Sequence, residues 1–161
     1  LRLASELLER FVKQDAEANK SAVLTAAERY FSRLTLGTFD RLLVEATGPE
    51  KYHLQVQRHG AQGEAVPISG LSDGTRDQLY LALRLASLEQ LLDRQHHLPP
   101  LVVDDILVNF DDARAQATLS CLAELGKRTQ ILCFTHHRHL LDLARAAVPA
   151  DQLAIVSMPE A

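Results

Sequence analysis

Four short clusters hold the residues whose types and spacing could do chemistry. Leu71-Ser72-Asp73-Gly74-Thr75 is a polar turn that runs straight into an apolar helix. A helix start of this kind carries free backbone N–H groups and the positive end of the helix dipole, so it can hold a phosphate. Ser72 adds a hydroxyl donor, and Gly74 removes a side chain that would block close backbone approach. Ser-Asp-Gly also opens many helices merely as a cap. Further along, LVVDD places Asp104 and Asp105 at the end of a short apolar run, with Asp111 and Asp112 close behind. Adjacent carboxylates are costly unless solvated or bound to a cation, and Mg²⁺ is their natural hard partner. The fourth cluster, Thr135-His136-His137 after ILCF, offers imidazoles suited to a phosphate contact or to proton handling.

Two patterns carry less. His136, His137 and His139 suggest a metal cluster, but side chains of adjacent residues are expected to point apart. Gly126-Lys127 imitates a phosphate loop, yet Arg128 follows it and Cys121 stands where the loop needs a glycine. No complete G-x-x-x-x-G-K-[ST] occurs in the chain.

The elements that must position these clusters can be read from periodicity. Leu1 to about Leu34 lacks Gly and Pro and spaces Leu3, Leu7, Phe11, Val23, Ala27, Tyr30 and Phe31 as a helix does. Its first half is charged with a narrow apolar stripe, which suits either the base of a coiled coil or a single amphipathic surface helix. Gly37 ends it. Phe39 to Val44 reads as a strand, and Tyr52, Leu54 and Val56 alternate with polar residues as a half-buried strand does. Gly60 and Gly63 punctuate a turn, and Ala65 to Ile68 pairs back, giving a small antiparallel meander. From Asp73 to about Gln95 the pattern is helical and apolar nearly all round, so that helix is expected to be buried on most sides. Leu101 to Val103 then reads as a strand inside a parallel sheet, followed by a helix over about Ala113 to Leu125. A strand over Gln130 to Phe134, a helix over about Arg138 to Ala147 and a last strand over Gln152 to Val156 complete the series. This alternation implies right-handed crossovers and a mostly parallel sheet flanked by helices, whose ligands sit at the carboxyl ends of the strands. Asp104, Asp105 and His136 all fall there.

The 161 residues are 47% hydrophobic and 24% charged, enough for a real core, and the net charge of −4 gives no global basic field for nucleic acid. Cys121 and Cys133 do not make a disulfide framework and read as core residues of a reducing compartment. No apolar run approaches the ~20 residues that span a bilayer. The chain opens on Leu1, inside a helical pattern and without a methionine, as a piece of something longer would.

In order and interval these clusters resemble one family. LSDGT before an apolar helix is similar to the signature motif of ABC-type ATPases, LVVDD to their Walker B strand, NFDD to the D-loop, and FTHH to the switch-histidine loop. The resemblance covers roughly Leu71 to Ala144. The wording LSDGTRDQLYLALRLA with DDILVNFDD most resembles the carboxyl-terminal ATPase lobe of SMC-like and SbcC-like coiled-coil proteins, closest to the YhaN-type group.

The resemblance implies an α/β fold, the carboxyl-terminal lobe of a P-loop NTPase head of the ABC type. Residues 1–34 would be the end of a coiled-coil arm entering the head, and residues 35–161 the lobe itself. Asp104 would hold Mg²⁺. Asp105 would stand at the general-base position, more often Glu in ABC-type ATPases but shared by YhaN-like sequences; one methylene shorter, it must sit closer to the attacking water. His136 would contact the γ-phosphate, Asp111 would signal across the dimer, and Ser72, Asp73 and Gly74 would lie at ATP held by the opposite subunit. Asp73 replaces the usual glycine, and capping its own helix is its plainer role. ATP hydrolysis would need the missing Walker A lobe of the same parent protein, the fragment alone being inactive, and a second identical head. Further implied partners are DNA and an SbcD-like metallo-phosphoesterase nuclease, with a cytoplasmic, nucleoid-associated location and no membrane. Two rival readings remain: a Mg²⁺-dependent phosphohydrolase or nuclease built on Asp104, Asp105, Asp111 and Asp112, and a non-catalytic dimerisation module.

Overall fold

A computed structural model describes residues 22–48, 51–60, 65–94 and 99–158. Two compact units divide between Arg94 and Gln95. In the first, helix α1 (Ala22–Leu34) precedes three strands, β1 (Phe39–Gly48), β2 (Lys51–Arg58) and β3 (Ala65–Pro67), and a single 3₁₀ turn leads into helix α2 (Asp73–Arg94). The strands form an antiparallel sheet in the order β1-β2-β3, with Leu42 opposite Val56 and Val56 opposite Val66. The meander therefore forms as the alternation requires: Leu54 and Val56 are buried while His53 is exposed.

Helix α1 buries Val23, Ala27, Tyr30, Phe31 and Leu34, a stripe at the three-and-four spacing that one helix face provides. It packs against α2 and β1. Phe31 and Phe39 stack with ring centroids 5.4 Å apart. Side chains such as Phe31, Leu34 and Leu79, all fully buried, contribute about 1.5–3 kcal/mol each. Polar ties fix the register. Glu28 Oε1 accepts the Leu42 N–H at 2.9 Å, and Gln78 Nε2 donates to the Leu34 carbonyl at 3.0 Å. The chain leaves α1 through Leu36 and Gly37, both with positive φ (53° and 78°), and Gly37 N–H closes back on Ser32 O at 2.7 Å. Gly37 supplies the left-handed conformation that a helix stop of this kind needs.

Helix α2 is less completely buried than its composition predicts. Leu79, Ala82, Leu83, Leu85, Ala86 and Leu92 face the core, while Leu81 and Leu88 are half-buried and Leu91 is exposed. Residues 1–21, over which the first helix and its coiled-coil stripe were also expected, lie outside the described residues.

The second unit holds β4 (Leu101–Asp104), α3 (Asp112–Gly126), β5 (Ile131–Phe134) and α4 (His139–Ala147). Strands β4 and β5 are parallel, with Leu101 opposite Ile131 and Asp104 opposite Phe134, and α3 makes the crossover. A core of Leu107, Ala115, Leu119, Leu140 and Ala144 joins the loop after β4 to α3 and α4. Ser120 Oγ donates to the Ala147 carbonyl at 3.2 Å and ties the two helices together.

Here three expectations are corrected. The strand expected over Gln152 to Val156 is absent: Ala150–Gln152 form a 3₁₀ turn and the chain then runs on without pairing, Val156 being 82% exposed. With neither a neighbouring strand nor a covered face, its apolar pattern has nothing to hold it in a sheet. Secondly, β4 is not the buried inner strand its sequence suggests. Val103 is buried, but Val102 is 57% exposed and stands in register with Leu132, which is 37% exposed beside Phe134 at 44%. Parallel sheets are normally covered on both faces, and this face is bare. Thirdly, Cys121 is buried as expected while Cys133, on β5, is exposed.

Candidate functional site

The tips of the two parallel strands bring Asp105 and His136 together. Asp104 is the last residue of β4 and is exposed; Asp105 follows it, its N–H bonded to Phe134 O at 3.0 Å, as though continuing the ladder for one more step. Its backbone then turns into the left-handed region, φ 45°, where few residues other than Gly, Asn and Asp are found. That turn carries the carboxylate to His136, whose Nδ1 lies 2.6 Å from Asp105 Oδ2. The other carboxylate oxygen, Oδ1, is buried and has no hydrogen-bond partner.

Desolvation pushes the Asp105 carboxyl up, but the Thr135 hydroxyl and the His136 ring outweigh it and hold the group below the ordinary carboxylate value. A carboxyl lowered in the folded state stabilises the fold above its unfolded value and loses that effect as pH falls through the folded one. Asp105→Asn is therefore expected to lower the thermal midpoint at pH 5 and above, with the gap closing on acidification below about pH 4. Melting curves followed by circular dichroism check this; a gap that widens in acid contradicts it. The same carboxylates act on Cys133, whose thiol is raised by desolvation first and then by Asp105 and Asp104.

His137 was expected to point away from His136. Instead the two rings lie with centroids 3.9 Å apart, tilted by 38°, and the His139 ring stands edge-on to His137 at 5.8 Å. The reason is the loop: Thr135 Oγ1 accepts the His137 N–H at 3.1 Å and His137 O accepts the Leu140 N–H at 3.1 Å, which tightens the turn into α4 and folds neighbouring side chains to one side. Side chains alternate across a strand but not in a tight turn. The triple Asp105, His136 and His137 is thus the group that the sequence left unassembled. The signal was present in Thr135, a residue type that caps turns.

Asp111 has a structural task. Its carboxylate accepts the Arg114 N–H at 2.9 Å as the N-cap of α3, and Oδ2 stands 3.5 Å from Arg114 Nε. Asp112 opens the helix and is exposed.

In the first unit, the turn before α2 is a helix cap whose capping residue is Ser72 rather than Asp73. Ser72 Oγ accepts the Thr75 N–H at 3.3 Å and meets Thr75 Oγ1 at 2.8 Å. Asp73 already lies inside the helix, exposed, and pairs with Arg76 at 2.6 Å, so its carboxylate is turned along the helix. With Thr75 as the hydroxyl donor, Ser72 Oγ accepts two hydrogen bonds and its own proton stays available; with Ser72 as the donor, that proton is spent on Thr75. Gly74 sits in that first turn.

Among the described residues no helix is long and apolar enough to cross a membrane. No protein-family model matches the sequence, and no curated protein does. Solved structures do. A chain from work on ATP-driven dimerisation and DNA-stimulated activation of SMC ATPases superposes with a TM-score of 0.61 at 21% identity, over 76% of this chain and 72% of that one. The Smc head of Pyrococcus furiosus, with an extended coiled coil and bound to the C-terminal domain of ScpA, gives 0.58 at 20% identity over 79% of this chain. The SMC head domain of Thermotoga maritima gives 0.54 at 21% identity over 84% of it. The chain spans 30% of the length of the Pyrococcus structure and 45% of the Thermotoga one. Its fold is that of part of an SMC head.

Proposed function

We propose that this chain is the carboxyl-terminal lobe of an ATP-hydrolysing head in an SMC- or SbcC-like coiled-coil protein, closest to the YhaN-type group. The observation that carries the reading is the Asp105–His136 contact at the tips of two parallel strands, in a chain with the SMC-head fold. There Asp105 is the general base: held ionised by Thr135 and His136, it takes the proton of the attacking water. His136 positions that carboxylate and turns its ring to the γ-phosphate. Asp104, exposed at the strand end, is a hard oxygen donor that fits a hydrated Mg²⁺, which when bound neutralises charge on the phosphates. From the other head of a homodimer, Ser72 and the N–H groups around Gly74 close on the phosphate, and Asp111, by capping α3, fixes the loop between the two. Residues 1–34 form the end of a coiled-coil arm and 35–161 the lobe. DNA and an SbcD-like nuclease are the partners proposed for the intact machine, in DNA repair or chromosome maintenance.

The bare strip of Val102, Leu132 and Phe134 supports a missing half. Covered by the Walker A lobe of the same protein, β4 and β5 become the inner strands that their sequences describe. The nuclease reading loses ground because the Asp111 carboxylate, one of the four acids it needs, already caps a helix.

The test joins this chain by a short linker to a Walker A lobe of the parent protein. The joined head is expected to hydrolyse ATP with Mg²⁺ and to dimerise in light scattering when hydrolysis is blocked; the 161-residue chain alone does neither. Phosphate release by the chain alone would sink the proposal.

A further inference from the structure

The Asp105 cluster has a second chemistry that ATP hydrolysis does not use. Asp105, His136 and His137 each offer one ligand atom, and all three atoms lie within 4.8 Å of one another. Two polar atoms of this cluster, Asp105 Oδ1 and His137 Nε2, are buried with no hydrogen-bond partner. Buried acceptors left unmade are costly, and in native proteins an unpaired one commonly marks a missing ion or water. The Thr135 and His137 turn holds both imidazoles on the same side as the carboxylate.

The donor set decides which ion. Mg²⁺ prefers an octahedron of oxygens, whereas two imidazoles with one carboxylate are the ligands of catalytic zinc sites, which leave a fourth position open. Zinc–ligand bonds of about 2 Å set tetrahedral ligands about 3.4 Å apart, within reach of side-chain rotation from the present arrangement. We infer that Asp105, His136 and His137 form a binding site for Zn²⁺, distinct from the Mg²⁺ position at Asp104, and that its occupation shuts down hydrolysis. The cation site stands on the three side chains alone. The inhibition rests on the proposed function, because Zn²⁺ would take the lone pairs by which Asp105 accepts a proton and would hold His136 away from phosphate.

Calorimetric titration of the 161-residue chain with ZnCl₂, without nucleotide, is expected to show one ion bound per chain at micromolar concentration. His137→Ala should weaken this about tenfold or more, and Co²⁺ in place of zinc should give the visible absorption of a tetrahedral ion in the wild-type chain but not in the variant. His137→Gln serves if the alanine variant does not fold, judged by circular dichroism. Absence of binding below millimolar Zn²⁺, or binding that neither His137 variant changes, overturns the site. In the joined head, Zn²⁺ should inhibit the wild type while the His137 variants resist. Zinc that binds without inhibiting would leave the cation site standing and overturn the assignment of Asp105 and His136 to hydrolysis.

Discussion

Replacing Ser72 by Arg in the joined head is expected to abolish ATP-driven dimerisation while the chain still folds. Ser72 is exposed; its hydroxyl bonds Thr75 and its carbonyl accepts the Arg76 N–H at 2.9 Å, at the first turn of α2, and the carbonyl bond does not depend on the side chain. Losing that cap costs about 1 kcal/mol. Helix α2 withstands it, because Leu79, Ala82, Leu85 and Ala86 are all buried further along. The arginine, however, sets a long side chain over the first turn, where under the proposed function a phosphate from the opposite head approaches. Ser72→Ala separates the two effects: it loses the same cap but adds no bulk, and is expected to dimerise, though more weakly. Light scattering with a slowly hydrolysed ATP analogue reads the outcome. Wild-type dimerisation by the arginine variant would remove Ser72 from the nucleotide site.

The second large effect concerns Asp105→Asn. Asparagine matches the shape of aspartate, tolerates the left-handed backbone at φ 45° and can still meet His136, but it cannot take a proton from water. Hydrolysis by the joined head should fall about 100- to 10,000-fold, while ATP binding and dimerisation survive. The dimer should outlive its wild-type counterpart, since nothing opens it. Unchanged phosphate release would return the chain to a non-catalytic dimerisation role.

Under the proposed general-base role, the backbone at Asp105 also bears on why an aspartate, and not a glutamate, suits this position. A left-handed residue with a Cβ is strained, and Asp and Asn bear it better than longer side chains because a short polar group can bond locally. The short acid thus suits its turn, and that turn places the carboxylate on His136. Periodicity could not reveal this. It located the strand end correctly, since apolar runs and their polar stops are visible in sequence, but the torsion of a single residue past the end is set by the turn that follows.

The same division explains the rest. Helices α2, α3 and α4 and the meander follow from spacing and from Gly37, because each has a face that must be buried. The expected strand at Gln152–Val156 failed because an apolar run becomes a strand only beside a partner, and pairing is not written in the run itself. His137 was misjudged for a related reason: its direction depends on the Thr135 hydroxyl, a contact two residues away that reverses the alternation of a strand.

The uncovered strip on β4 and β5 bears on how such a protein must be made. If its complement is encoded at the far end of a long coiled coil, one lobe emerges from the ribosome well before the other, and each waits with apolar side chains and open strand edges in water. Val102, Leu132 and Phe134 then act as a tag of incompleteness that chaperones hold and proteases read. Assembly of the head would be self-proofreading: a chain whose ends fail to meet is recognised by the same residues that, once met, disappear into the sheet.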